Sequence, residues 1–177
     1  MHDQPTLATE RLLLRPFQPT DSARVQLLAG NPNVARMTSN IPHPYTDGEA
    51  ANWIAAHGDD WQRGSAAIFA VCLRSDGELI GAVGLMNILN QDAELGYWVG
   101  EPYWGQGYAS EAVDALIGFG ITSCELTRLH AHHLSRNPTS GKVLRNAGLQ
   151  RIEKRGITAR DGVTQEDAEF YELLLTD

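Results

Sequence analysis

Three β-rich runs in succession, followed by a glycine-bearing turn that opens a helix, restrict this chain more than any other feature. AAIFAVCLRSDGELIGAVGLMNI (66–88) is two runs joined at Ser-Asp-Gly-Glu, where Asp76-Gly77 is a hairpin signal, and AELGYWVG adds a third. Strands joined this tightly are antiparallel. YWGQGYASEA (103–112) comes next, and from Ala109 small or apolar residues recur at Ala112, Val113, Leu116, Ile117, Gly120 and Ile121. That spacing is the buried stripe of an amphipathic helix. A strand meander running into such a helix predicts a mixed α/β architecture, with helices on the faces of one sheet.

The flanking sequence extends this pattern. ERLLLRPF (10–17) reads as a strand ended by Pro16, and Thr20 or Asp21 is placed to cap a helix through about Ala29. After an Asn- and Pro-rich loop, Thr46 and Glu49 have capping-box spacing ahead of a helix with Ala50, Trp53, Ile54 and His57 on one face. RLHAHHL (128–134) reads as a strand. NPTSGKVLRNAGL reads as a helix with Pro138 in its first turn and Gly148 at its end, and two strands follow around 150–158 and 166–175. The expected order is β, α, α, β, β, β, α, β, α, β, β.

At 177 residues the chain suits a single domain, 1–177, with a core that needs no staples. Its two cysteines, Cys72 and Cys124, are too few for a disulfide framework or zinc spacing and read as buried free thiols. No apolar run approaches a membrane span, and the N-terminus lacks a basic-then-apolar signal, so a soluble cytoplasmic protein is expected. A net charge of −8 without Lys- or Arg-rich runs argues against nucleic acid and favours cationic partners such as amines.

A strand that ends in a Gly-rich turn and enters a helix leaves backbone N–H groups unpaired, backed by the positive end of the helix dipole. That is an anion site. Gly105 and Gly107 carry no Cβ, so a phosphate can come close to the backbone, and Ala109 keeps the entrance narrow. Such a turn is also a common structural device. The Walker pattern would need Gly-Lys-Ser/Thr, and the dinucleotide fingerprint three spaced glycines inside a βαβ unit. Neither is present, and antiparallel strands are the wrong setting for both.

TERLLLRPF, PHPYTDGEAANWI, IGAVGL, AELGYWVGEPYWGQGYASEA and NPTSGKVLRNAGL together span nearly the whole chain. In this combination the sequence resembles the GNAT acetyltransferases, specifically the RimJ/RimL-like branch. The resemblance implies a central, mostly antiparallel sheet splayed in its middle, with acetyl-CoA in the split. It assigns the pyrophosphate to Gly105, Gln106, Gly107, Tyr108 and Ala109, with Ser110 close by. Two departures stand out: Trp104 replaces the usual Gln or Arg of the turn, and Leu144 falls where the superfamily often has a general-acid Tyr. The branch instead places a Ser near the CoA sulfur, and Ser140 occupies that position.

Acetyl transfer needs a neutral amine, a polarised thioester carbonyl and a proton for the leaving thiolate. The resemblance implies carbonyl polarisation by backbone N–H groups around Tyr97, Trp98 and Val99, a proton from Ser140, and Asn137 either on the pantetheine or fixing the start of its helix. Both Asn137 and Ser140 also read as ordinary cap residues. Strand alternation puts Glu94, Gly96 and Trp98 on the face opposite Ala93, Leu95 and Tyr97. Near a split, Glu94 becomes the candidate base, acting directly or through water, with a solvated or salt-bridged residue as the plain alternative.

His130 and His132 share a strand face, but two imidazoles without a third ligand make a poor metal site, so no metal is expected. His132 or His133 near the thioester is a minority reading. Tyr45, Trp53, Trp98 and Tyr103 read as core or wall, with PHPYT near Tyr45 lining the acceptor pocket. The expected function is acetyl-CoA-dependent transfer to a peptide or protein N-terminal amine, by direct attack in a ternary complex. A small-molecule amine comes second, and a non-catalytic acyl-CoA-binding module third. The branch often forms dimers, so the resemblance leaves a homodimer open.

Overall fold

The computed structural model describes residues 3–175. Strands β1 (Leu7–Ala8), β2 (Leu12–Arg15), β3 (Ala67–Leu73), β4 (Leu79–Leu89), β5 (Asp92–Val99), β6 (Arg128–Leu134), β7 (Gln150–Thr158) and β8 (Gln165–Leu174) form one sheet in the order 1-2-3-4-5-6-8-7. Helices α1 (Ser22–Ala29), α2 (Pro32–Arg36) and α3 (Glu49–Arg63) precede the meander, and α4 (Tyr108–Cys124) and α5 (Pro138–Asn146) follow it. The hairpin at Asp76-Gly77 forms as expected, with Gly77 at φ +77°.

Every neighbouring pair is antiparallel except β5 and β6. Parallel strands need a long crossover, and the 17-residue α4 supplies it. The β5–β6 ladder holds only Asp92 to Arg128, Ala93 to Leu129 and Glu94 to His130. On its other edge β5 stays paired with β4 as far as Val99. Beyond Glu94 the sheet is therefore split, in agreement with the splayed, mostly antiparallel GNAT fold.

Each face of the sheet carries its own core. α4 and α5 cover one face, where Leu116 and Leu144 are fully buried against Phe69, Leu85, Leu129 and Tyr171. Burying a leucine contributes roughly 2–3 kcal/mol, so this helix stripe is what holds the crossover on the sheet. α1 and α3 cover the other face through Val25, Leu28, Ala50 and Ile54, with Trp53, Trp98 and Tyr103 packed at the edge. His57 is buried there between Phe17 and Trp53, and neither ring nitrogen has a hydrogen-bond partner among the described residues. Burial pushes its pKa down to about 4, against a slight opposing pull from Asp60.

Several local expectations are corrected. The Thr46–Glu49 capping box is not made: Gly48, at φ +89°, starts α3 without a side-chain cap. Thr46 meets the helix through its backbone instead, its carbonyl accepting the Glu49 amide at 3.2 Å. Asp21 precedes α1 without capping it, because its carboxylate is occupied by Arg15 and the Gln18 amide. The Asn-Pro loop contains α2, capped by Asn31, and a two-residue β1 precedes a first strand shorter than expected. In α4, Phe119 replaces Ile121 in the buried stripe. Both cysteines are free, but Cys124 is only half-buried.

Candidate active site

The glycine-turn side of the split is built by one continuous stretch. Gly105 and Gly107 have φ +73° and +82°, and Gly107 is the N-cap of α4 with no side-chain cap. The first amides of α4, at Tyr108, Ala109 and Ser110, precede any intrahelical acceptor and face an open turn. A Cβ on Gly105 would meet nothing within 4 Å, and one on Gly107 would stand 3.4 Å from Arg11 Nη2. The turn thus has the positive-φ backbone, free donors and clear approach that an anionic diphosphate requires. Residues from Gly105 to Ser110, Gln106 excepted, line a cavity of about 750 Å³ that runs through the split. Gln106 instead folds back, Nε2 donating to the Pro102 carbonyl.

Arg11, not singled out from sequence, holds this turn from outside. Its Nη1 donates to the Gln106 carbonyl at 2.9 Å, its Nε to Glu111 at 2.7 Å, and its guanidinium lies 4.6 Å over the Tyr108 ring. Burial raises the Glu111 pKa, but hydrogen bonds from Thr9 and Arg11 outweigh it and keep the carboxylate below its ordinary range. Trp104 Nε1 donates to the Val99 carbonyl at 2.7 Å, tying the turn to the end of β5.

On the α4–α5 face, Ser140 sits in the first turn of α5. The Asn137 side chain caps that helix by accepting the Ser140 amide at 3.2 Å, and its Nδ2 donates to the Met37 carbonyl at 3.1 Å. Ser140 Oγ is 2.6 Å from the Tyr97 hydroxyl, which also donates to the Ser140 carbonyl at 3.1 Å. Burial pushes the Tyr97 pKa up to about 12, despite the Ser140 hydrogen bond. Tyr97 is therefore a neutral hydroxyl that extends Ser140 into a two-residue proton-bearing pair. Sequence reading gave Tyr97 only a backbone role. Alternation put it with Ala93 and Leu95 on the face opposite Glu94, which was the available signal. Leu144 is core, buried to 1% exposure.

On the opposite face, Glu94 projects from β5 where the ladder ends. Asn87, at φ +52° in a β4 bulge, donates Nδ2 to Glu94 Oε2 at 3.1 Å. Bulges re-aim side chains in this way, and Asn tolerates the left-handed region better than most residues. His132 lies 3.2 Å from Glu94 Oε1, and its hydrogen bond is the main cause of a Glu94 pKa held below the ordinary range. His130 pairs with Asp92 instead, and His133 is buried with Nδ1 on the Leu134 carbonyl and Nε2 near Tyr171. Among the described residues no group of three or more His, Cys, Asp or Glu side chains is arranged to hold a metal.

Tyr45, Trp53, Trp98 and Tyr103 all line the cavity, as do Glu49 and Arg160. Arg160, from the β7–β8 turn, donates to the Asn40 carbonyl at 3.0 Å and to Glu49 at 3.3 Å. The structure thus brings Glu94, Tyr97 and Ser140 to one split, with the glycine turn along its edge. No described helix is long and apolar enough to cross a membrane.

The sheet opens beside a glycine turn, with hydroxyls on one face of the split and a carboxylate on the other, and comparison with known proteins places this fold in a family. The family model described as an acetyltransferase (GNAT) domain matches residues 11–150, and the chain belongs to that family. It is an N-acetyltransferase of the GNAT type. An uncharacterized N-acetyltransferase, p20 of Bacillus licheniformis, is 36% identical over 150 residues, covering 82% of this chain and 83% of that one. A ribosomal-protein-serine acetyltransferase of Escherichia coli is 42% identical over 88 residues, 48% of each chain. RimJ of Mycobacterium smegmatis, solved with a CoA disulfide, shares the fold with a TM-score of 0.84 at 20% identity, over 98% of this chain and 90% of that one.

Proposed function

We propose that this enzyme transfers the acetyl group of acetyl-CoA to the α-amine of a protein or peptide N-terminus, by direct attack in a ternary complex. The observation that carries this reading is the two-sided split: the Tyr97–Ser140 pair lies on one face and Glu94 on the other, within one cavity. The ribosomal-protein relative supports the peptide acceptor.

The amides from Gly105 to Ser110 would hold the pyrophosphate, and acetyl-CoA, when bound, supplies the activated acyl group. The β5 amides of Tyr97 and Val99, which face the edge that β6 has left, would polarise a carbonyl in the split. Ser140, backed by the neutral Tyr97 hydroxyl, donates the proton that the departing sulfur needs. Asn137 keeps Ser140 in position as its cap. On the far face the Glu94 carboxylate attracts the acceptor's ammonium and serves its deprotonation. An α-amine with pKa near 8 needs only a weak base at neutral pH, unlike a lysine amine near 10.4.

A small amine is the second reading, favoured by Arg160 lying across the acceptor wall between Asn40 and Glu49. Incubation of acetyl-CoA with peptides bearing Ala, Ser and Met N-termini, spermidine and an aminoglycoside, followed by mass spectrometry, tests both. An acetyl gain on a peptide N-terminus is expected. A gain confined to a small amine selects the second reading, and donor binding with no transfer to any amine contradicts both.

A further inference from the structure

The acceptor face holds an arrangement wider than Glu94 alone. His132 Nδ1 is 3.2 Å from Glu94 Oε1, and His132 Nε2 is 3.1 Å from Ser39 Oγ. The Phe170 ring stacks on the imidazole at 5.3 Å between centroids and 23° between planes. Contacts at both nitrogens and on the ring face fix its orientation. Both Glu94 oxygens are engaged, one by His132 and the other by Asn87. With the Nδ1 proton donated to the carboxylate, Nε2 keeps its lone pair and the Ser39 hydroxyl donates to it. Ser39, Glu94 and His132 come from three separate parts of the chain, and all line the cavity.

We propose that His132, rather than Glu94 itself, takes the proton of the acceptor amine, with Glu94 positioning the imidazole and the Ser39 hydroxyl passing the proton to Nε2. The inference rests on the N-acetyltransferase mechanism above and assigns its base. Imidazoles titrate closer to neutrality than other side chains, whereas the hydrogen bond from His132 makes the Glu94 carboxylate a weaker base than an ordinary one. The surrounding charges are paired among themselves: His130 and Arg128 with Asp92, Arg128 also with Glu172, Arg155 with Glu153 beside the Phe170 ring, and Arg160 with Glu49. Lys142 also lines the cavity, on the α5 side. Glu94 is the charge bonded directly to the imidazole.

In the step, the amine nitrogen forms the C–N bond as the C–S bond breaks. The amine proton passes through Ser39 to His132 Nε2, and the C–S electron pair leaves on sulfur, which takes the Ser140 proton. Solvent then restores Ser140 and discharges His132.

The test is the pH profile of kcat/KM, with whichever amine the panel shows to be accepted, for wild type, His132→Gln, Glu94→Gln and His130→Gln. Imidazole 15N spectra of the unliganded wild type and Glu94→Gln, and intact masses after incubation with donor, accompany it. His132→Gln is expected to lower kcat/KM about 100-fold and to remove the acidic limb. Loss of the Glu94 charge destabilises the imidazolium, so Glu94→Gln moves that limb to lower pH, and His130→Gln leaves it in place. The spectra are expected to show His132 protonated at Nδ1 in the wild type and a redistributed tautomer in Glu94→Gln. A wild-type profile in His132→Gln, with the limb lost in Glu94→Gln, overturns the inference and makes Glu94 the base. An acetyl mass on Ser39 also overturns it, by making Ser39 a nucleophile. A wild type that acetylates no amine overturns the parent mechanism and this inference together.

Discussion

The two faces of the split are built by opposite means. On the donor side, residues 104–110 supply a local turn, braced by Arg11 and carried by backbone amides. On the side proposed for the acceptor, Ser39, Glu49, Glu94, His132 and Arg160 come from distant parts of the chain, and their side chains line the cavity. A backbone site tolerates exchange of most of its side chains but not of its φ angles. A side-chain site has the reverse sensitivity.

The largest effect expected concerns stability and falls on the acceptor face, whose core contains His57. Its folded pKa of about 4 lies below the reference 6.5, so the unfolded chain takes up a proton that the folded one refuses. This contribution is complete above pH 6.5 and is lost as pH falls through 4, about 3 kcal/mol in all. Urea unfolding at pH 7 and 4.5 should show the slope, and His57→Leu should flatten it. Hydrogen exchange in acid should rise first in α3, and equal loosening of α4 would contradict the division of the core.

Next in size is Gly107→Val, which places a β-branched residue at φ +82° and a Cβ near Arg11. CoA affinity should fall about 100-fold, about 2.7 kcal/mol, by titration calorimetry with circular dichroism unchanged. Retained affinity would remove the turn from the donor site. Ser140→Ala should lower kcat about 30-fold at unchanged CoA affinity, and Tyr97→Phe a little less. If the double variant loses only what Ser140→Ala loses, the hydroxyls act as one unit. The smallest change is expected from Arg160→Ala, which should raise the acceptor KM roughly 5-fold through loss of its hydrogen bonds while leaving donor affinity alone. A shift in donor affinity there would mean the faces are not independent.

The same contrast explains what was legible in the sequence. Gly105, Gly107 and the helix after them are adjacent, so their chemistry could be read without a fold. Strand alternation put Glu94 and Tyr97 on opposite faces correctly, because period 2 is a local property. Glu94 and His132 meet through the parallel register of β5 and β6, which sets Glu94 opposite His130, and Ser39 joins His132 from 93 residues away. No pattern within either segment encodes that register. Asn87 was invisible for another reason: its role follows from a bulge in β4, and LMNIL carries no glycine to announce one. At Thr46 a real local signal lost to Gly48, whose left-handed backbone started the helix another way.

The opened sheet raises a structural question that the loop between α2 and α3 answers. Up to and including Glu94 three ladder pairs hold its halves together, and beyond it none do. Across the gap, Arg136 donates to the Arg36 carbonyl at 2.8 Å, Asn137 to that of Met37 at 3.1 Å and Arg160 to that of Asn40 at 3.0 Å. Residues 36–40 act as the tie-beam of a gabled roof, joining two rafters that meet only at the ridge. A tie-beam sets the span, so the segment that lines one wall of the cavity also gauges the width of the split where we propose the donor lies. Lengthening it by a residue would be felt in the grip on CoA, although no side chain there need touch that molecule.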